Sequence, residues 1–144
     1  MSLEITSTHD EAIRRHAEAG YPNEICGVLL GREADGRKSV QELLVIANQF
    51  EEGEQYHRFL IAPQDMLRAE RTARSKGLIV IGFYHSHPED EAVASEYDRD
   101  HAWPWYSYII VSVRAHQARD LRCWTLRDDR SAFDEESVRV SRVP

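Results

Sequence analysis

The sequence predicts an α/β (α+β) domain in which helices flank a mixed β-sheet. Three observations carry this. Residues 8–20 and 63–77 show helical periodicity, LIVIGFY at 78–84 is a continuous apolar run that suits a strand covered on both faces, and the turn residues between such segments follow no repeat. Helices and strands interleaved in this way bury their apolar faces as layers on one sheet. The 144 residues fit a single domain spanning 1–144.

Taken in order, the helix at 8–20 is closed by Gly20, and ICGVLLG at 25–31 reads as a buried strand. After the turn EADGRK, strands are expected at 39–47 (SVQELLVIA) and 56–62 (YHRFLIA), separated by the polar loop NQFEEGEQ. Pro63 opens the second long helix, whose apolar contacts fall at Met66, Ala69 and Ala73 and which stops at Gly77. A central strand then runs through LIVIGFYHSH, Pro88 ends it, and a short helix spans Ser95 to about Trp103. Strands at 106–113, 119–126 and 134–141 complete the chain.

Composition narrows the function. With 25 acidic against 18 basic residues the formal charge is −7, which argues against nucleic acid as a partner because that needs a clustered basic face. RAERTARSK at 68–76 is locally basic but fits a solvated helical face. No apolar run approaches the ~18 residues of a membrane span, and the opening MSLEITSTHDEAIRRHAEAG lacks the basic flank and apolar core of a secretory leader. A soluble, cytoplasmic protein is expected. Cys26 and Cys123 are too few for a disulfide framework and are read as free thiols, Cys26 as a small core residue.

The chemistry concentrates in HSHPEDEAVASEYD at 85–98. On a strand, His85 and His87 look into the same space. Two imidazoles and one carboxylate leave a tetrahedral zinc ion an open position, as catalytic rather than structural sites do. Asp98 is the candidate carboxylate. Plainer readings exist: a polar turn for HSHP, and for Ser95–Asp98 a helix capping box with Asp in place of the usual Glu or Gln, which is compatible with ligation. His101, three residues after Asp98, is an alternative ligand or a hydrogen-bonding neighbour of the ligands. His9, His16, His57 and His116 have no companions at ligand spacing and are read as surface residues, and WPWY at 103–106 as packing at a strand entry.

Joint occurrence adds to this. Glu24 in NEICGVLLG, then H-S-H at 85–87, seven residues, Ser95, two residues and Asp98 resemble the signature of the JAMM (MPN+) zinc metalloproteases. CGVLLG, FLIAP, the helix after it and GLIVIGFYHSHP fall in that family's usual order, so the resemblance covers most of the chain. It departs where family members commonly carry proline before the serine, here Ala94, and in the acidity of the loop at 89–91, which would change substrate preference or attract a second cation.

The resemblance implies an MPN/JAMM fold similar to the cytidine-deaminase architecture, with one Zn2+ per chain held by His85, His87 and Asp98. It also implies Glu24 as the proton carrier beside a zinc-activated water, and Ser95 as a donor to the developing oxyanion. The expected reaction is hydrolysis of a peptide or isopeptide bond. For a compact stand-alone bacterial form, the expected substrate is a small ubiquitin-like or sulfur-carrier protein, cut after its C-terminal Gly-Gly. The rival reading is a metal-free MPN-like scaffold, against which the complete ligand set speaks. A zinc nucleobase deaminase would need H-x-E and P-C-x-x-C ligands that this sequence lacks. Monomer and homodimer are both left open.

Overall fold

The computed structural model describes residues 2–56, 58 and 60–142. Its elements are β1 (Ser2–Thr6), α1 (Ser7–Gly20), β2 (Cys26–Ala34), β3 (Arg37–Ile46), a 3-10 turn (Glu52–Glu54), α2 (Pro63–Ser75), β4 (Ile79–Pro88), α3 (Glu96–His101), β5 (Ser107–Arg114), β6 (Gln117–Leu126) and β7 (Phe133–Ser141). The strands pair in the order β1-β3-β2-β4-β5-β6-β7, and the sheet closes because β1 lies parallel to both β3 and β7. β4 and β5 are also parallel, and the remaining neighbours are antiparallel. The mixed sheet with helices follows the α+β expectation. Its closure into a barrel does not.

Closure depends on β1, a strand not expected ahead of the first helix. Its five residues alternate, with Leu3 and Ile5 buried. The helix starts immediately afterwards, where the Thr6 hydroxyl accepts from the His9 backbone N–H at 3.2 Å. A strand this short, paired only with residues far along the chain, leaves little local signal.

β2, β4 and β5 carry apolar residues on both faces. On one face Ile13 and Ala17 of α1 pack with Leu29, Ile81 and Ile109, and on the other Ala69 and Ala73 of α2 pack with Val28, Leu30 and Phe83. Gly27 stands opposite Tyr84 in the β2–β4 register, and a side chain there would run into the Tyr84 ring. Tyr84 in turn shares a 2.9 Å hydrogen bond with His16 Nδ1, which ties α1 to β4. His16 is therefore half-buried rather than a surface residue, as is His9, while His116 is exposed and His57 lies outside the described residues.

The strand expected at 56–62 is corrected: the described residues of that stretch form none, and His57 and Phe59 lie outside the description. The physical reason is Asn48. Its Oδ1 accepts from the Phe50 and Leu60 N–H groups at 2.9 and 3.0 Å, and its Nδ2 donates to the Arg58 carbonyl at 2.9 Å, so a side chain satisfies backbone groups that a ladder would have paired. The aromatic cluster also divides. Tyr106 packs on Phe83 with ring centroids 5.4 Å apart, whereas Trp103 is 66% exposed. Among the described residues no helix is long and apolar enough to cross a membrane.

Candidate active site

His85 and His87 lie near the end of β4 and are buried. Period-two alternation sends both rings the same way, and their Nε2 atoms are 3.2 Å apart. Asp98 reaches them from α3: Oδ1 lies 3.3 Å from His85 Nε2, and Oδ2 lies 3.1 Å from His87 Nε2. These donor atoms all fall within 4.8 Å of one another and form a group that could hold a metal ion.

The capping box orients the carboxylate. Ser95 Oγ accepts from the Asp98 N–H at 3.1 Å, and the Ser95 N–H donates to Asp98 Oδ2 at 2.9 Å. Capping and convergence on the histidines thus occur in one residue. His87 Nδ1 faces the Glu91 carbonyl at 2.8 Å, an acceptor that fixes the proton on Nδ1 and leaves Nε2 turned into the cluster.

The electrostatics fit a cation at this place. Burial works against charge on His87, yet Asp98 outweighs it and lifts the imidazole to about 9. Burial likewise opposes ionisation of Asp98, but the two histidines overcome it and hold the carboxyl well below the usual range. Asp98 therefore favours positive charge on the histidine side of the cluster, and two nitrogens with one oxygen are a donor set that zinc accepts.

Glu24 precedes β2 and is 6% exposed. Burial pushes its carboxyl up to about 7, against the opposing pull of His85 and His87. Its backbone is held from three sides. The Glu24 N–H donates to the Gln55 carbonyl at 2.6 Å, the Glu24 carbonyl accepts from Asn48 Nδ2 at 2.9 Å, and the next residue, Ile25, exchanges bonds with Ser86. In that exchange Ile25 N–H donates to Ser86 Oγ at 2.9 Å, and Ser86 N–H donates to the Ile25 carbonyl at 3.1 Å. Ser86 and Asn48 are the positioning residues that sequence reasoning missed. Ser86 was visible inside H-S-H without a role, while Asn48 had no local signal.

The other candidates separate. His101 is outside the ligand group; its Nδ1 lies 2.8 Å from the Tyr97 carbonyl and its ring stacks on Tyr97 at 4.0 Å. Of the acidic loop, the Glu91 carbonyl faces the His87 ring and the Asp90 N–H donates to the His87 carbonyl at 3.4 Å, while the Glu89 carboxylate accepts from the Tyr21 hydroxyl at 2.5 Å and the Ala115 N–H at 2.8 Å. Two clefts flank α3. One, of about 230 Å³, has His85 and Asp98 in its wall with Leu60, Met66, Phe83 and Trp103, and the other, of about 490 Å³, is lined by Ser95, Arg99, Trp124 and Phe133.

Residues 6–127 match the family of prokaryotic homologues of the JAB domain. The chain belongs to that family. A desampylase of Haloferax volcanii is 34% identical over 115 residues, which cover 76% of this chain and 80% of the relative. A CysO-cysteine peptidase of Mycobacterium bovis is 30% identical over 130 residues, covering 90% and 84%. A solution structure of a protein from Desulfitobacterium hafniense is similar with a TM-score of 0.85 at 26% identity, over 98% of this chain and 94% of that one. Membership makes this JAB-family chain a JAMM-type hydrolase of the stand-alone prokaryotic kind, a class that depends on a metal.

Proposed function

We propose that the chain is a zinc-dependent peptidase or isopeptidase that hydrolyses the amide bond after the C-terminal Gly-Gly of a small ubiquitin-like or sulfur-carrier protein. The observation that supports this best is the convergence of His85, His87 and Asp98 beside a buried Glu24 whose carboxyl stands at about 7. In this reading the first three hold one zinc ion, which when bound supplies the Lewis acidity that acidifies water and polarises a carbonyl.

The chain's own residues do the rest. Glu24, poised near neutrality, takes a proton from the attacking water and delivers it to the departing amine. Ser95 uses its oxygen as the acceptor for the Asp98 N–H, so its hydroxyl hydrogen can be donated to the carbonyl oxygen as that atom gains charge. Gly-Gly suits such a site because its backbone can approach closely without side chains in the way. The names of the Haloferax and Mycobacterium relatives point to ubiquitin-like and sulfur-carrier substrates respectively.

The test is to incubate the zinc-loaded protein with a sulfur carrier extended by one residue beyond Gly-Gly, and with an isopeptide conjugate of a ubiquitin-like protein, following both by intact mass. Cleavage at Gly-Gly by the wild type is expected, with Glu24→Gln keeping its zinc while losing about 10²- to 10⁴-fold in kcat. Cleavage of neither substrate would revive the scaffold reading.

A further inference from the structure

Arg58 is a half-buried cation that the catalytic assignments above leave unused. Its position is fixed twice over. Asn48 Nδ2 donates to both the Arg58 and the Glu24 carbonyls, each at 2.9 Å, so one amide holds these two backbones together. Its guanidinium lies 4.4 Å over the ring of Tyr97, the residue immediately before Asp98. Arg58 therefore stands between the loop that carries Glu24 and the helix that carries Asp98. Among the described residues its guanidinium forms no ion pair with a carboxylate, although its charge reaches Glu24 and draws that carboxyl down.

The proposed hydrolysis says which groups arrive there. Glu24 protonates the departing amine, and in a residue released from a peptide bond the α-carboxylate carbon is two bonds from that amine, about 2.5 Å away by standard geometry. A C-terminal carboxylate is thus carried to the neighbourhood of Glu24, an acid that repels it once its proton has been given up. A lysine released from an ε-linked conjugate brings a neutral methylene chain to the same place. A cation near Glu24 would distinguish the two leaving residues, and a guanidinium matches a carboxylate in two-pronged geometry.

We propose that Arg58 binds the α-carboxylate of the released residue and so makes the enzyme selective for removing a single C-terminal amino acid over cleaving an ε-linked conjugate. This rests on the hydrolysis proposed above.

The experiment uses two carriers that end in Gly-Gly-Ala and differ only in a free or an amidated C-terminus. The wild type should cleave the free acid about 10- to 100-fold more efficiently, the scale of one charge-assisted contact. In Arg58→Gln that ratio should fall toward one through loss on the acid substrate, and Arg58→Lys should restore part of it. The same preference should appear as an affinity difference between the two carriers for the non-turning-over Glu24→Gln protein. A wild-type ratio near one, or an equal loss on both substrates in Arg58→Gln, overturns the assignment while leaving the hydrolase reading intact. Cleavage of neither carrier by the wild type removes the hydrolase reading and this one with it.

Discussion

Lys38, Ser107, Thr125, Cys123 and Glu136 form a second buried polar cluster, put together unlike the one at His85, His87 and Asp98. Lys38 Nζ donates to the Trp105 carbonyl and, at 3.1 Å, to Ser107 Oγ, and it lies 4.3 Å over the Trp105 ring. Ser107 Oγ donates to Glu136 Oε1 at 2.6 Å, which also accepts from Thr125 Oγ1 at 3.0 Å. Cation, hydroxyls and carboxylate run in series, so the cluster supplies both of its own charges. At the other cluster, the Nε2 atoms of His85 and His87 and the Asp98 oxygens turn inward on one spot. Donors that converge on one spot suit a shared cation, whereas the second cluster pairs its lysine and carboxylate through hydroxyls and leaves only Glu136 Oε2 without a partner among its polar atoms. Burial and ionisable residues are common to both, and the arrangement of donors and acceptors is what sets a group that could hold a metal ion apart from a structural brace.

The largest effect expected of this contrast is at Asp98. Asp98→Ala removes the only anionic donor of the inward-facing set, and both zinc content after gel filtration and hydrolysis should be lost. If both survived, Asp98 would serve only as the cap of α3. Lys38→Met should do the opposite. It strips the cation from a buried carboxylate, so the denaturation midpoint should fall by the equivalent of about 3 kcal/mol or more while zinc binding stays as it was, and adding Glu136→Gln should recover part of the loss. Loss of zinc in Lys38→Met would erase the distinction between the clusters.

A smaller effect is expected at Ser95, which is bonded to Asp98 and is proposed as an oxyanion donor rather than a ligand. Ser95→Ala should retain zinc and lower kcat by about 10²-fold, the scale for one oxyanion donor. A change confined to KM would assign Ser95 to substrate positioning instead. The variant also weakens the cap of α3, so its zinc affinity must be measured alongside.

The two clusters were not equally legible in the sequence. The first was, because strand alternation and helix capping are local rules: H-S-H fixes two rings on one face, and S-E-Y-D fixes a carboxylate in a first helical turn. The second was not, since Lys38 ends the turn-like stretch EADGRK, where a lysine is ordinarily solvated, and only the parallel pairing of β1 with β3 and β7 encloses it. The central strand followed from its continuous apolar run and both long helices from periodicity. β1 escaped because its partners are remote, and the stretch at 56–62 misled because FLIA is apolar while Asn48, in the loop before it, takes over backbone bonds of Arg58 and Leu60.

The smallest effect should come from the two thiols, one beside each cluster. Cys26 stands opposite His85 in the β2–β4 register, the placement that would raise suspicion of a nucleophile. Its surroundings argue otherwise. The side chain is fully buried, Sγ faces the Ile46 carbonyl at 3.6 Å, and burial pushes the thiol up to about 12, so at neutral pH it stays protonated and unreactive. Cys123 is raised as well, by burial first and then by Glu136, whose Oε1 lies 3.5 Å from its sulfur. Neither thiol should be alkylated by iodoacetamide at pH 7 in the folded protein, and both should react once it is denatured. Cys26→Ala should keep kcat within a factor of about three and cost on the order of 1 kcal/mol in stability, as expected for removing a small buried side chain. Abolished hydrolysis with zinc retained in Cys26→Ala would mean that the thiol takes part in the chemistry, and nearness to the ligands would then outweigh the burial that now excludes it.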